Sequence, residues 1–166
     1  ALMNRGYTKS QYMEKVESLR KIRPDISLTS DVIVGFPGET EKDFEETIDM
    51  MNQIRFDNLF SFKYSEREKT AAVRMEGKVR EPVKLDRLQR LQALQEQHTL
   101  ERNKAMEGRR EDILVEGLSK NCRSDVTGRT TSNKIVNFSG GLELVGEMVS
   151  VVIREAHLHS LSGERL

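Results

Sequence analysis

The chain of 166 residues carries one cysteine, no tryptophan, three prolines, aromatic rings at only 5% of positions and no net charge. Each shortage closes off a class of function. The single thiol, Cys122, can form no internal disulfide, which fits a reducing cytoplasm, and it falls short of the several thiolates an iron–sulfur cluster needs. With 27 basic residues against 27 acidic ones, any polyanion binding must rest on a local patch. No apolar run approaches the ~18 residues that cross a bilayer, and the opening ALMNRGYTKS lacks the apolar core of a secretory signal. His157 and His159 alternate without a third ligand nearby, so no metal site is expected.

What the chain does have is 36% hydrophobic and 33% charged residues, the balance of a soluble protein with a modest core. Thr8 and Gln11 have capping-box spacing, and Tyr12, Met13, Val16, Leu19 and Ile22 recur at helical intervals until Pro24. Residues 26–34 predict a strand, with Ser27, Thr29, Asp31 and Ile33 on one face. Thr40 is placed to cap a second helix whose buried stripe is Phe44, Ile48, Met51 and Ile54. Residues 56–65 predict a second strand, with Ser61, Lys63 and Ser65 alternating against Phe60, Phe62 and Tyr64. Strands alternating with helices predict βαβ units and a parallel sheet, yet two strands are too few for a stable one. The expectation is therefore an incomplete α/β barrel.

A loop is expected over residues 66–80, then a long helix over 81–107 striped by Leu85, Leu88, Leu91 and Leu94 and ended by Gly108. Short β-rich runs separated by Gly, Ser and Asn turns fill the remainder, which predicts a small antiparallel barrel. The expected organisation is an α/β portion over 1–80, a connecting helix over 81–108 and an all-β barrel over 109–166.

Working groups in parallel α/β barrels gather where strands end. The turn VGFPGET, residues 34–40, is of that kind: Gly35 and Gly38 let backbone approach a ligand and would leave N–H groups free before the second helix. The polar faces carrying Asp31 and Lys63 would both point into the barrel, where the two side chains could equally form a plain ion pair.

The run SDVIVGFPGETEKDFEETIDM followed by FDNLFSFKYSEREKTAA closely resembles the radical S-adenosylmethionine methylthiotransferases, and most of all the MiaB-type members that act on tRNA. MNRGYT and RTTSNKIVNF add to the likeness, which spans the whole chain as half of a radical-SAM (β/α) barrel followed by a TRAM barrel. The resemblance implies insertion of sulfur and a methyl group at an adenosine beside the anticodon, using S-adenosylmethionine and [4Fe–4S] clusters. It implies cofactor contacts from Ile33, Gly35, Pro37 and Gly38, with Asp31 and Glu39 as polar neighbours and Ser61 and Lys63 on the strand completing the pocket. Two departures stand out. Lys69 occupies the position of a family glycine, and the C-x3-C-x2-C cluster motif is absent. The chain is thus expected to be a carboxy-terminal piece, inactive alone, whose partners are tRNA and the preceding part of the same protein.

For the tail, the TRAM likeness implies RNA binding. Arg109, Arg110, Lys120, Arg123, Arg129, Lys134 and Phe138 are the expected contacts, with Arg67 in the loop. The alternatives are a sister enzyme that modifies an aspartate of a ribosomal protein, and a non-catalytic RNA-binding module.

Overall fold

Thr8 opens the first helix as its spacing predicts. Its hydroxyl accepts from the Gln11 N–H while the Gln11 side chain accepts from the Thr8 N–H, and α1 runs over Lys9–Ile22. The computed structural model describes residues 3, 5–120, 122 and 124–166. Two compact units divide the chain at 91/92, within a helix rather than at a loop.

In the first unit, β1 (Thr29–Val34) and β2 (Asn58–Lys63) form a two-stranded parallel sheet joined through α2 (Glu41–Ile54). Both strands begin later than expected, and immediately before them the buried Asp57 clips the two segments together. Its carboxylate accepts from the Leu28 N–H at 3.0 Å, and its own N–H donates to the Leu28 carbonyl at 2.8 Å. α2 starts from a second capping box, between Thr40 and Asp43. Phe44, Met51 and Ile54 of α2 are buried with Val16 of α1, Val34, Phe56 and Leu59. A Lys9–Asp49 ion pair at 2.8 Å ties α1 to α2.

The register corrects one expectation. Asp31 lies opposite Phe60, Ile33 opposite Phe62, and Val34 opposite Lys63. Side chains opposite one another share a face, so Thr29, Asp31 and Ile33 stand with Asn58, Phe60 and Phe62. Ser61 and Lys63 point to the other side, with Val32 and Val34. The Asp31–Lys63 pair does not form. Lys63 instead bonds Glu81 at 3.0 Å.

The loop over 66–80 contains a short 3-10 helix, Ala71–Arg74, and α3 spans Glu81–Lys104. Of the predicted leucine stripe only Leu91 is fully buried, with Leu88 and Leu94 half-buried. Leu85 is exposed, while Arg87, Leu91, Gln95, His98 and Asn103 are buried, a face rotated from the leucines and largely polar.

The second unit is a closed barrel in the order β3-β4-β5-β7-β6. Its strands are β3 (Arg110–Leu118), β4 (Asp125–Arg129), β5 (Ile135–Ser139), β6 (Met148–Ala156) and β7 (Leu161–Arg165). The barrel is not wholly antiparallel, because β5 and β7 pair in parallel. An odd number of strands cannot alternate direction around a closed ring. Met106, Ile113, Val115, Val126, Val136, Phe138, Val151, Ile153 and Leu161 fill the interior. His157 and His159 lie in the β6–β7 connection rather than on a strand. No helix among the described residues is long and apolar enough to cross a membrane.

Candidate functional site

The turn after β1 is built from its glycines outward. Gly35 and Gly38 both adopt positive φ, +75° and +84°, a conformation only glycine takes without strain. A side chain on Gly35 would also collide with Lys84. The expected free N–H groups are not free. Gly35 N–H donates to Glu39 Oε2 at 3.0 Å, Gly38 N–H to the Gly77 carbonyl at 2.9 Å, and Glu39 N–H to the Phe36 carbonyl at 2.9 Å. The turn is a self-satisfied scaffold, with Gly35 and Pro37 buried and Gly38 exposed. It can position a ligand by shape, but it is not an open anion cradle.

Two elements clasp it. The loop over 66–80 supplies Gly77, where a Cβ would press to 3.3 Å on the Gly38 backbone. α3 supplies Arg87, whose Nη1 donates to Glu39 Oε1 at 2.7 Å and to the Glu39 carbonyl at 3.3 Å, while its Nη2 reaches Glu41 at 3.0 Å. Arg90 joins Glu41 at 2.8 Å and also bonds Glu45. Hydrogen bonds from Arg90 and then Arg87 hold the Glu41 carboxyl below its ordinary 4.5, and Glu41 with Glu45 raises Arg90 above its own ordinary value. Lys84 donates to the Tyr64 carbonyl at 3.2 Å and lies over the Tyr64 ring, which meets Phe36 edge-on at 5.2 Å. None of Arg87, Lys84 or Gly77 carries a local sequence signal, since each reaches the turn from about 40 to 50 residues away in the chain.

On the open face of the sheet, Phe60 and Phe62 are 57% and 55% exposed. Asp31 is exposed and Ile33 half-buried on the same side. Large apolar side chains on a bare sheet face are costly in water, and among the described residues neither strand has a second partner. This face therefore replaces Ser61 and Lys63 as the candidate ligand side. Its chemistry fits adenosylmethionine: flat apolar rings can take an adenine, and a carboxylate can take hydroxyl or ammonium donors. An iron–sulfur cluster does not fit, because no group of three potential ligands exists among the described residues. Cys122 lies in the other unit.

The expected RNA contacts are scattered. Phe138 is 2% exposed and belongs to the barrel core, so its ring cannot stack on a base. Lys134 bonds Asn103 Oδ1 at 2.9 Å, and Asn103 in turn donates to the carbonyls of His157 and Leu158, so this lysine is engaged in pinning a loop. Arg129 pairs with Glu116 at 3.2 Å and Arg110 donates to Ser150 at 3.0 Å. Arg109, Lys120 and Arg67 are exposed. Arg110 begins the nine-residue β3 and Lys120 follows its far end, which separates them by about 30 Å at ~3.3 Å per residue. Arg123 lies outside the described residues.

Residues 1–51 match the Radical SAM superfamily and residues 104–166 match the TRAM domain. The whole chain is 76% identical to a tRNA-2-methylthio-N(6)-dimethylallyladenosine synthase of Syntrophus aciditrophicus (strain SB), covering 36% of that protein. Proteins of the same name from Geobacter sulfurreducens and Syntrophobacter fumaroxidans are 50% and 48% identical over 99% of the chain, which again covers 36% of each. The chain thus spans about a third of the length of the curated relatives it matches.

Proposed function

From the premise that this chain belongs to the radical S-adenosylmethionine methylthiotransferase family, we propose that it is the carboxy-terminal part of a cytoplasmic enzyme that methylthiolates an adenosine beside the tRNA anticodon. The observation that carries the reading is the bare face of β1 and β2, where exposed Phe60 and Phe62 stand beside Asp31 and Ile33 next to the Gly35 turn. That face is the inner wall of the catalytic barrel, and the rest of the protein closes over it.

When bound, S-adenosylmethionine supplies the methyl group and, with a reduced cluster held elsewhere in the protein, the hydrogen-abstracting radical. This chain's residues bind and orient. Ile33, Phe60 and Phe62 offer apolar contact, Asp31 accepts hydrogen bonds, and Gly35, Pro37 and Gly38 shape the backbone with Glu39 locking it. Lacking cluster ligands, the chain alone is inactive. The barrel unit holds tRNA by dispersed phosphate contacts from the exposed Arg109 and Lys120, with little base reading.

The test is mass spectrometry after incubating the cluster-loaded full-length protein with S-adenosylmethionine, reductant, inorganic sulfide as sulfur donor, tRNA bearing the prenylated adenosine, and ribosomal protein. A methylthio mark on the nucleoside is expected. A mark on an aspartate of the ribosomal protein, or on neither, overturns the proposal.

A further inference from the structure

Arg87 is a charge almost sealed from water, with 5% of its side chain exposed. Burying a guanidinium is costly unless its donors are matched, and here they are matched by the turn. Glu39 Oε1, the Glu39 carbonyl and Glu41 Oε2 all accept from it, and the Phe44 ring lies 5.6 Å from the guanidinium carbon. Glu39 is the relay. One of its oxygens takes Arg87 and the other takes the Gly35 N–H. Gly35, at φ +75°, is a residue whose backbone is otherwise free to sample several wells.

We infer that Arg87 is a positioning residue for the cofactor turn. Acting through Glu39, it fixes the orientation of the Gly35 peptide and hence of the strand end at Ile33 against which the adenosyl group lies. The inference rests on the cofactor reading given above. The other cations nearby do not substitute for Arg87. Lys84 is committed to Glu81 and the Tyr64 carbonyl, and Arg90 to Glu41 and Glu45. Lysine at position 87 would keep the charge and much of the stem but not the planar fork that reaches three acceptors.

The experiment measures S-adenosylmethionine dissociation constants by equilibrium dialysis on the cluster-loaded, oxidised full-length protein, in which no turnover occurs. Thermal midpoints and affinity for an anticodon stem-loop are recorded in parallel. Variants are Arg87→Lys, Arg87→Ala, Glu39→Ala and the double Arg87→Ala/Glu39→Ala. Arg87→Lys and Glu39→Ala should each weaken cofactor binding about tenfold, and the double variant should be no worse than the weaker single, as for residues acting in series. RNA affinity should not change. Wild-type-like cofactor binding by Arg87→Lys, even with a lowered thermal midpoint, overturns the inference alone, as do strictly additive single effects. A wild-type protein that does not bind the cofactor overturns the site reading and this inference with it.

Discussion

Lys69 holds a left-handed backbone, φ +67°, at the position where the related pattern has glycine. A non-glycine residue in that region carries a steric cost, partly offset by the greater freedom glycine has when unfolded. Lys69→Gly should therefore stabilise the chain by roughly 0.5 kcal/mol in urea unfolding. At Gly35 the same geometry has the opposite consequence. Gly35→Ala meets both the positive φ and the Lys84 side chain, and should destabilise by about 2 kcal/mol or more. Phe138→Ala should cost ~3–5 kcal/mol of barrel stability, whereas Phe138→Leu, which keeps the core filled, should leave RNA affinity at the wild-type level. Local signals at this scale are legible: the Thr8–Gln11 capping box, the Thr40 cap and the glycine turn follow from neighbouring residues, whereas the return bond that makes Thr40 and Asp43 a second box comes from the structure. The inward aim of Phe138 is not legible. Alternation separates two faces of a strand without telling which is the core.

At the scale of elements, α3 shows why the rest was hidden. Its leucines have helical spacing, yet the buried line through Arg87, Leu91, Gln95 and His98 is mostly polar. The reason is tertiary, because Arg87 is buried by carboxylates some 48 residues away. The β1–β2 pairing misled for a related reason. Each strand's alternation is plain in its own residues, but which faces meet depends on register, which is set between the strands rather than within either.

The ion pairs around α2 and α3 also set a pH response. Hydrogen bonds from Arg90 hold Glu41, and from Lys84 hold Glu81, below the ordinary 4.5; those from Thr40 hold Asp43, and from Lys9 hold Asp49, below 3.8. A carboxyl that titrates lower when folded stabilises fully above its ordinary value, and that contribution is lost as pH falls through its folded value. Stability of the first unit, followed by denaturant midpoint, should thus decline as pH drops below about 4. These groups are exposed, so ~1 M salt should flatten the decline.

Taken whole, the chain joins two units of unequal self-sufficiency. The barrel closes on itself around nine buried side chains among the described residues. The first unit leaves two phenylalanines on the bare face of a two-stranded sheet, an arrangement that is marginal alone. In calorimetry of this 166-residue chain, the first unit should unfold before the barrel. A single coincident transition reported by probes in both units would contradict that. The fold class was legible at this scale because helix–strand alternation gives way to closely spaced short strands. The parallel β5–β7 contact was not legible, since it follows from closure rather than from any strand's own residues.

The central claim is that the face bearing Asp31, Ile33, Phe60 and Phe62 is the cofactor side. Hydrogen–deuterium exchange of the cluster-loaded full-length protein, with and without S-adenosylmethionine, tests it most directly. Added protection is expected in β1 and β2 and in the turn over 35–39, with β3–β7 unchanged. Protection confined to other segments, with these two strands exchanging as before, would contradict it.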